Sequence, residues 1–167
     1  MNCLLKGELS KIYQTVSLFS IKNHEQNEKK EIKTGISEMY QATNRWISEL
    51  KFIADEEHFF EELILDYTLA FLNKEHIVKF KKTIASLKKN QKMGIDLLQH
   101  LQIHKNRLQE LLDDIIVPNE YETYRNKHFD WAIQTNTLKE RNRKLKKELY
   151  VVLKKYLKKN KQKKITS

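Results

Sequence analysis

The residues of this chain that could bind a metal or move a proton are few, and their spacing is a weak signal. Asp55-x-x-His58 has the spacing of a carboxylate–histidine pair in a metal-binding helical bundle, but no second pair of this kind occurs. His100 and His104 lie four residues apart, a zinc-type spacing on a helix, yet no glutamate follows His100 as in a metalloprotease helix. We therefore predict no metal site and no bound cofactor.

Candidates for nucleophilic or acid–base catalysis are equally few. Cys3 is the one cysteine, so the chain has no internal disulfide framework, and no histidine is fixed beside it. His128 is the one histidine at a predicted inward position, where a hydrogen-bonded core histidine is the ordinary interpretation. Glycine-rich phosphate-binding loops are missing. We predict no catalytic residue and a protein that is not an enzyme.

The elements that would position these side chains are long helices. With 3 Gly and 1 Pro in 167 residues, the chain has too few turns for a β or α/β fold. Apolar residues recur at alternating steps of four and three, the period of a coiled-coil seam. The first run predicts these inward positions, all apolar or aromatic except Thr43 and Glu57: Ile32, Ile36, Met39, Thr43, Trp46, Leu50, Ile53, Glu57, Phe60, Ile64, Tyr67 and Phe71.

The same spacing continues in two later runs, and a shorter stripe precedes them all. The second run places inward Ile77, Phe80, Ile84, Leu87, Gln91, Gly94, Leu98, Leu101, Lys105, Leu108, Leu112 and Ile115. The third places inward Tyr124, His128, Trp131, Thr135, Leu138, Asn142, Leu145, Leu149, Val152 and Tyr156. The short N-terminal stripe consists of Leu5, Leu9, Ile12, Val16 and Phe19.

These runs predict an all-α, elongated antiparallel bundle. Its three long heptad-patterned helices would cover about 29–72, 75–116 and 119–160, after a short helix at about 4–21 and a polar loop at 22–28. The chain thus divides into an N-terminal segment (1–28), the bundle (29–160) and a basic tail (161–167). We expect the last helix to end near Lys159 and the tail to be mobile. Asp55 could cap a new helix and break the first long one, although the spacing continues through it.

Polar residues interrupt the predicted core at two levels. If the helices turn at Asn73-Lys74 and at Pro118, then Glu57, Gln91 and Asn142 fall near one level. A second level gathers Thr43, Lys105, Leu108 and His128. Buried polar groups of this kind commonly fix the register of a bundle at a cost in stability. A small polar or metal site, or local access of solvent, is the alternative.

One helix carries apolar residues on a second face. Phe52, Phe59 and Leu63 lie away from the predicted core of their helix. An apolar face outside the core needs a second covering, because large exposed apolar patches mark contact sites. The N-terminal helix is the local candidate for that covering, and a second copy of the chain or another protein is the alternative.

Positive charge is concentrated at the C-terminal end. Residues 138–167 hold 13 Lys and Arg against 2 acidic residues, a net charge of +11, whereas the rest of the chain has a net charge of −1. A solvated face is the plain interpretation, and attraction of phosphate through counterion release is the second. A basic amphipathic helix at a membrane surface is the one that we favour least. The candidate polyanion contacts are Arg143, Lys147, Lys154, Lys155, Lys158, Lys159, Lys161, Lys163 and Lys164.

These observations favour a non-enzymatic helical module that is structural, binds another protein or self-associates. The alternative is a basic accessory protein that contacts nucleic acid or another polyanion, without sequence specificity, through its C-terminal helix. A metal- or ligand-binding helical bundle is the third hypothesis. The first residues do not resemble a signal peptide, and no apolar run is long enough to span a membrane, so we expect a cytoplasmic protein without a transmembrane segment.

Overall fold

A computed structural model describes the backbone of residues 2–68, 74–113 and 118–165, and the side chains of 22–65, 81–113, 120–151 and 153–154. Three α-helices account for all of this backbone: α1 (Asn2–Thr68), α2 (Lys74–Asp113) and α3 (Pro118–Ile165). The all-helical prediction is confirmed for these residues, which contain no strand. The predicted inward positions Tyr67, Phe71, Ile77, Phe80, Ile115, Val152 and Tyr156 lie outside the described side chains.

The first helix is longer than the sequence pattern predicts. Residues 22–28, predicted to be a loop, are helical, so the chain has no separate short helix before the bundle. The segment contains neither Gly nor Pro, and its Lys, Glu and Gln residues propagate a helix readily. The helix also continues through Asp55 without a break. At about 1.5 Å per residue, α1 is about 100 Å long.

The third helix also exceeds its predicted end. It continues to Ile165, past the end predicted near Lys159. Residues 161–165, which the sequence assigned to a mobile tail, are therefore helical in backbone, and their side chains lie outside the described residues.

Contacts between side chains show that the helices run up, down and up. Tyr40 and Glu57 of α1 meet Lys105 and Asn90 of α2, so residue numbers rise on one helix as they fall on the other. The contacts of His104 with His128, and of Met93 with Arg141, give the same antiparallel order for α2 and α3. Glu49 and Glu56 meet Lys139 and Lys146, so α1 and α3 are parallel.

The core consists of three apolar clusters along the bundle axis. The central cluster contains Ile47, Leu50, Ile53, Leu97, Leu101 and Leu138. On one side lie Ile32, Ile36, Met39, Leu108 and Leu111, and on the other Ile64, Leu87, Leu145 and Leu149. Gly35 permits a close approach at the first of these ends, because a methyl group on residue 35 would overlap the hydroxyl of Tyr121.

The bundle begins at Ile32, and α1 continues beyond it toward the N-terminus. All side chains from 22 to 31 are exposed, whereas Ile32 and Ile36 are buried. Residues 22–28 belong to the continuous α1 helix, so the predicted loop that would bring residues 4–21 back over Phe52 and Phe59 is not formed there.

The second helix is rotated relative to its predicted register. The residues Leu87, Leu101 and Leu108 are buried as expected. Asn90 and His104 are also buried, whereas the predicted inward neighbours Gln91 and Lys105 are half-buried at the flank. The same displacement brings Leu97 and Leu111 inward in place of Leu98 and Leu112. In α2, every second buried position thus lies one residue before the position predicted from the sequence.

Over the residues that the structure describes, no helix has a stretch long and apolar enough to cross a bilayer.

Candidate functional site

Two histidines meet inside the bundle where α2 packs on α3. His104 projects from α2 and is 4% exposed, and His128 projects from α3 and is half-buried. His104 Nε2 lies 3.3 Å from His128 Nδ1, so one neutral ring donates its N–H to the other. The sequence predicted His128 as an inward residue but missed His104.

Aromatic rings enclose this histidine pair. The indole of Trp46 stacks on His128 with ring centroids 4.5 Å apart, and the ring of Tyr124 lies 6.3 Å from that of His104. One turn along α2, His100 is exposed as predicted and stacks on Trp131 at 5.1 Å. Both tryptophans are half-buried against the central cluster. Aromatic packing thus fixes the orientation of the rings.

The surroundings keep both histidines uncharged at neutral pH. Burial lowers the pKa of His128 to about 4. Burial also lowers the pKa of His104 to about 4, and the charges of His128 and Lys127 contribute in the same direction. Because an acid–base catalyst works best with a pKa near the working pH, the pair is poorly suited to proton transfer at pH 7.

The candidate metal ligands His58 and His100 each contact a group of their own helix. His58 lies 3.4 Å from the Glu62 carboxylate on its own helix. His100 Nδ1 lies 2.7 Å from the backbone oxygen of Asp96, so this ring donates to its own helix rather than joining His104. Among the described residues, no group of three or more His, Cys, Asp or Glu converges on one point.

A polar level crosses the other half of the bundle. Glu57 is 2% exposed, and Asn90 Nδ2 donates to Glu57 Oε1 at 2.5 Å. Burial raises the pKa of Glu57, as does the neighbouring charge of Glu56, while the hydrogen bond from Asn90 lowers it. The sequence placed Gln91 here, but Gln91 lies at the flank and donates to Glu61 at 3.3 Å.

Asn142 lies at this level but bonds to Glu56 rather than to Glu57. Its Nδ2 donates to Glu56 Oε2 at 3.3 Å, and Lys146 Nζ donates to both Glu56 oxygens at 2.9 and 3.0 Å. The Asn142 Oδ1 is buried and has no hydrogen-bond partner among the described residues. The hydrogen-bonding groups of this level are therefore incompletely satisfied among the described residues.

The predicted polyanion contacts are exposed where the structure describes them. Arg143, Lys147 and Lys154 lie on the outer surface of α3. Arg143 donates to Glu140 at 3.4 Å, and the Lys154 ammonium lies 5.7 Å from the centre of the Tyr150 ring. The other candidates lie outside the described side chains: Lys155, Lys158, Lys159, Lys161, Lys163 and Lys164.

A second group of cations, which the sequence did not select as a site, lines the groove between α2 and α3. Lys89, Arg141 and Lys144 surround a shallow cavity of about 230 Å³. We call this cavity and its three cations the lysine groove. The signal was present in the sequence, since residues 76–95 contain six lysines and no acidic residue.

The predicted partner face on α1 is also exposed. Phe52 is 64% and Phe59 58% exposed, and Leu63 is half-buried. The two phenylalanines are seven positions apart in the sequence, so they lie on one side of α1 about two turns apart. We call these three residues the phenylalanine face.

Comparison of the chain with protein-family models, with curated proteins and with solved structures found no match.

Proposed function

We propose that this chain is a non-enzymatic helical module whose main role is contact with another protein or with a second copy of itself. The phenylalanine face carries this proposal, because two aromatic rings more than half exposed on one side of a helix are typical of a contact surface. Packing of the three helices as an antiparallel coiled coil and a cytoplasmic location belong to the same proposal.

The continuous α1 helix supports this role. Its residues 22–31 extend beyond the start of the core with every side chain exposed. The same helix leads back toward the stripe of Leu5, Leu9, Ile12, Val16 and Phe19, whose spacing is that of a helix seam. A helix that carries such an apolar stripe is suited to association.

The proposal is tested with the double variant Phe52→Ser/Phe59→Ser of the full chain. The matched control is Ile95→Ser/Ile103→Ser, which removes two equally exposed apolar side chains from α2. Because all four residues are exposed, we expect both variants to fold as the wild type does. If the chain self-associates, we expect only the phenylalanine variant to become monomeric in sedimentation velocity. If it binds another protein, we expect that protein to co-purify with the wild type and the control but not with the phenylalanine variant. The same mass and the same bound proteins for all three would contradict the proposal.

A second candidate function is contact with nucleic acid or another polyanion. The observation that favours it is the exposure of Arg143, Lys147 and Lys154 on one helix. Lysine predominates over arginine in the C-terminal segment, which suits attraction by charge rather than recognition of sequence. Salt-sensitive binding to oligonucleotides of unrelated sequence would support this function. Its absence at low salt would remove the function.

A further inference from the structure

The lysine groove is a place where three positive charges converge beside a single carboxylate. Lys89 reaches it from α2, and Arg141 and Lys144 reach it from α3. Because like charges from two helices repel each other across a groove, an anion bound between them would stabilise the arrangement. Asn90 and Leu145 form part of the lining between the cations, so the groove has both a polar and an apolar wall.

The three cations have few partners within the protein. None of them forms an ion pair with any residue that the structure describes. Arg141 Nη1 lies 2.8 Å from Met93 Sδ, but a thioether is a weak acceptor, so most of the guanidinium donors remain available. Glu148 is the one acidic residue among the lining residues, and it leaves the groove with an excess of two positive charges.

The surroundings add to this excess. Lys88 and Lys92 of α2 are exposed near Lys89, and residues 76–95 contain no acidic residue. On α3, the nearby Glu140 carboxylate already accepts from Arg143. Glu49 and Glu56 of α1 form ion pairs with Lys139 and Lys146, which lie on the flank of α3 away from the groove. The field at the lysine groove is therefore positive from both helices.

We propose that the lysine groove binds the phosphate backbone of a nucleic acid. This proposal rests on the second proposed function. It assigns the main nucleic-acid contact to the groove between α2 and α3 rather than to the outer face and tail of α3. Arg141 supplies a planar fork that can hold two phosphate oxygens, and the two lysines supply point charges on either side. No aromatic side chain is among the lining residues, so bases have no stacking surface and binding is independent of sequence.

The test compares three double variants of the full chain that each remove two positive charges. Lys89→Gln/Lys144→Gln removes the groove lysines, and Arg143→Gln/Lys147→Gln removes cations of the outer face of α3. Lys30→Gln/Lys33→Gln removes exposed lysines from α1, far from the groove, and serves as the matched control. The probes are fluorescein-labelled 20-nucleotide single-stranded RNA, single-stranded DNA and duplex DNA of two unrelated sequences. Anisotropy is measured between 50 and 200 mM KCl, and circular dichroism checks folding.

We expect the groove variant to bind about tenfold more weakly at 50 mM KCl and to lower the slope of log K against log salt by about 2. The control should keep the wild-type slope. Wild-type affinity should be the same for unrelated sequences, and the comparison of RNA with DNA identifies the source of the phosphate.

Two results would overturn the inference. If the outer-face variant loses binding while the groove variant keeps the wild-type slope, the groove is not the site although the polyanion function stands. If the wild-type chain binds none of the probes at 50 mM KCl, both proposals fail.

Discussion

The two flanks of α3 differ in how their charges are paired, although both are rich in Lys and Arg. Toward α1, Lys139 lies 2.6 Å from Glu49 and Lys146 lies 2.9 Å from Glu56, so this flank is neutralised within the chain. Toward α2, Arg141 and Lys144 have no acidic partner among the described residues and share their groove with Lys89. Composition alone does not distinguish these flanks. Among the described residues, the flank of α3 toward α1 thus has its charges paired within the chain, and the flank toward α2 does not.

The α2–α3 groove also changes along its length. At its other end Arg107 donates to Glu110 at 2.6 Å and to the Tyr124 hydroxyl at 2.9 Å, and lies 3.7 Å from Glu120. The pair of His104 and His128 lies next along the groove, and burial lowers the pKa of both rings so that they are neutral at pH 7. One end of the groove thus satisfies its polar groups internally, whereas the other presents them to solvent.

Acidification should produce the largest effect, because it charges the satisfied end of the groove. Unfolded histidine has a pKa near 6.5, whereas His104 and His128 have folded values of about 4. Between these pH values the unfolded chain binds more protons, so the free energy of unfolding falls as pH drops from about 6.5 to about 4. We expect a loss of at least about 5 °C in Tm over this range, measured by circular dichroism.

The double variant His104→Leu/His128→Phe isolates this effect. It should flatten the dependence of Tm on pH between about 4 and 6.5 relative to wild type, whereas His58→Gln, at an exposed site, should keep it. An unchanged slope in the double variant would show that other groups cause the acid sensitivity.

Removing the central carboxylate of the neutralised flank should have the next largest effect. Glu56→Gln leaves Lys146 without its ion pair and weakens the contact with Asn142. We expect a loss of about 1.5 kcal/mol in the free energy of unfolding, measured by urea titration. Glu62→Gln is the control, because Glu62 is exposed and contacts His58 alone among the described residues. Equal losses in the two variants would show that the Glu56 contacts add nothing to stability.

Replacing Asn142 tests whether the polar level costs stability. Asn142→Leu removes the buried Oδ1 that lacks a partner, while Glu56 keeps its two contacts with Lys146. We expect a gain of about 1 kcal/mol in the free energy of unfolding. A loss of similar size would mean that the hydrogen bond from Asn142 to Glu56 outweighs the unsatisfied oxygen.

Within the described residues, the sequence predicted the all-helical fold, the order of the helices and most of the buried positions of α1 and α3, because regular apolar spacing restricts these features strongly. In α1 the buried residue beside the half-buried Trp46 is Ile47, which the spacing did not select. It failed in α2 for a definable reason. Counting apolar residues favours Ile84, Leu98 and Leu112, but these side chains are only half-buried at the edges of the three core clusters. The more deeply buried positions include Thr83, Asn90 and His104, which a count of apolar residues scores as polar.

This error explains why the candidate sites were only partly predicted. His104 was missed because its register was displaced by one residue, and with it the contact to His128. The lysine groove was missed because the sequence does not show which lysines of α3 pair with α1. That pairing is set by individual contacts, such as the one between Lys146 and Glu56. The exposure of Phe52 and Phe59, by contrast, followed directly from their position opposite the core.

The most direct test of the difference between the two flanks is the free energy of unfolding of Lys144→Glu and Lys146→Glu, measured by urea titration in 50 mM and 1 M KCl. The variants change the net charge equally on one helix, two residues apart. Lys146→Glu places a carboxylate beside Glu56 and should cost about 1–2 kcal/mol. Lys144→Glu gains Lys89 and Arg141 as neighbours but places its carboxylate four residues from both Glu140 and Glu148, so it should change the free energy of unfolding by less than about 0.5 kcal/mol. The loss from Lys146→Glu should shrink in 1 M KCl. Destabilisation by both variants to the same extent would contradict the account.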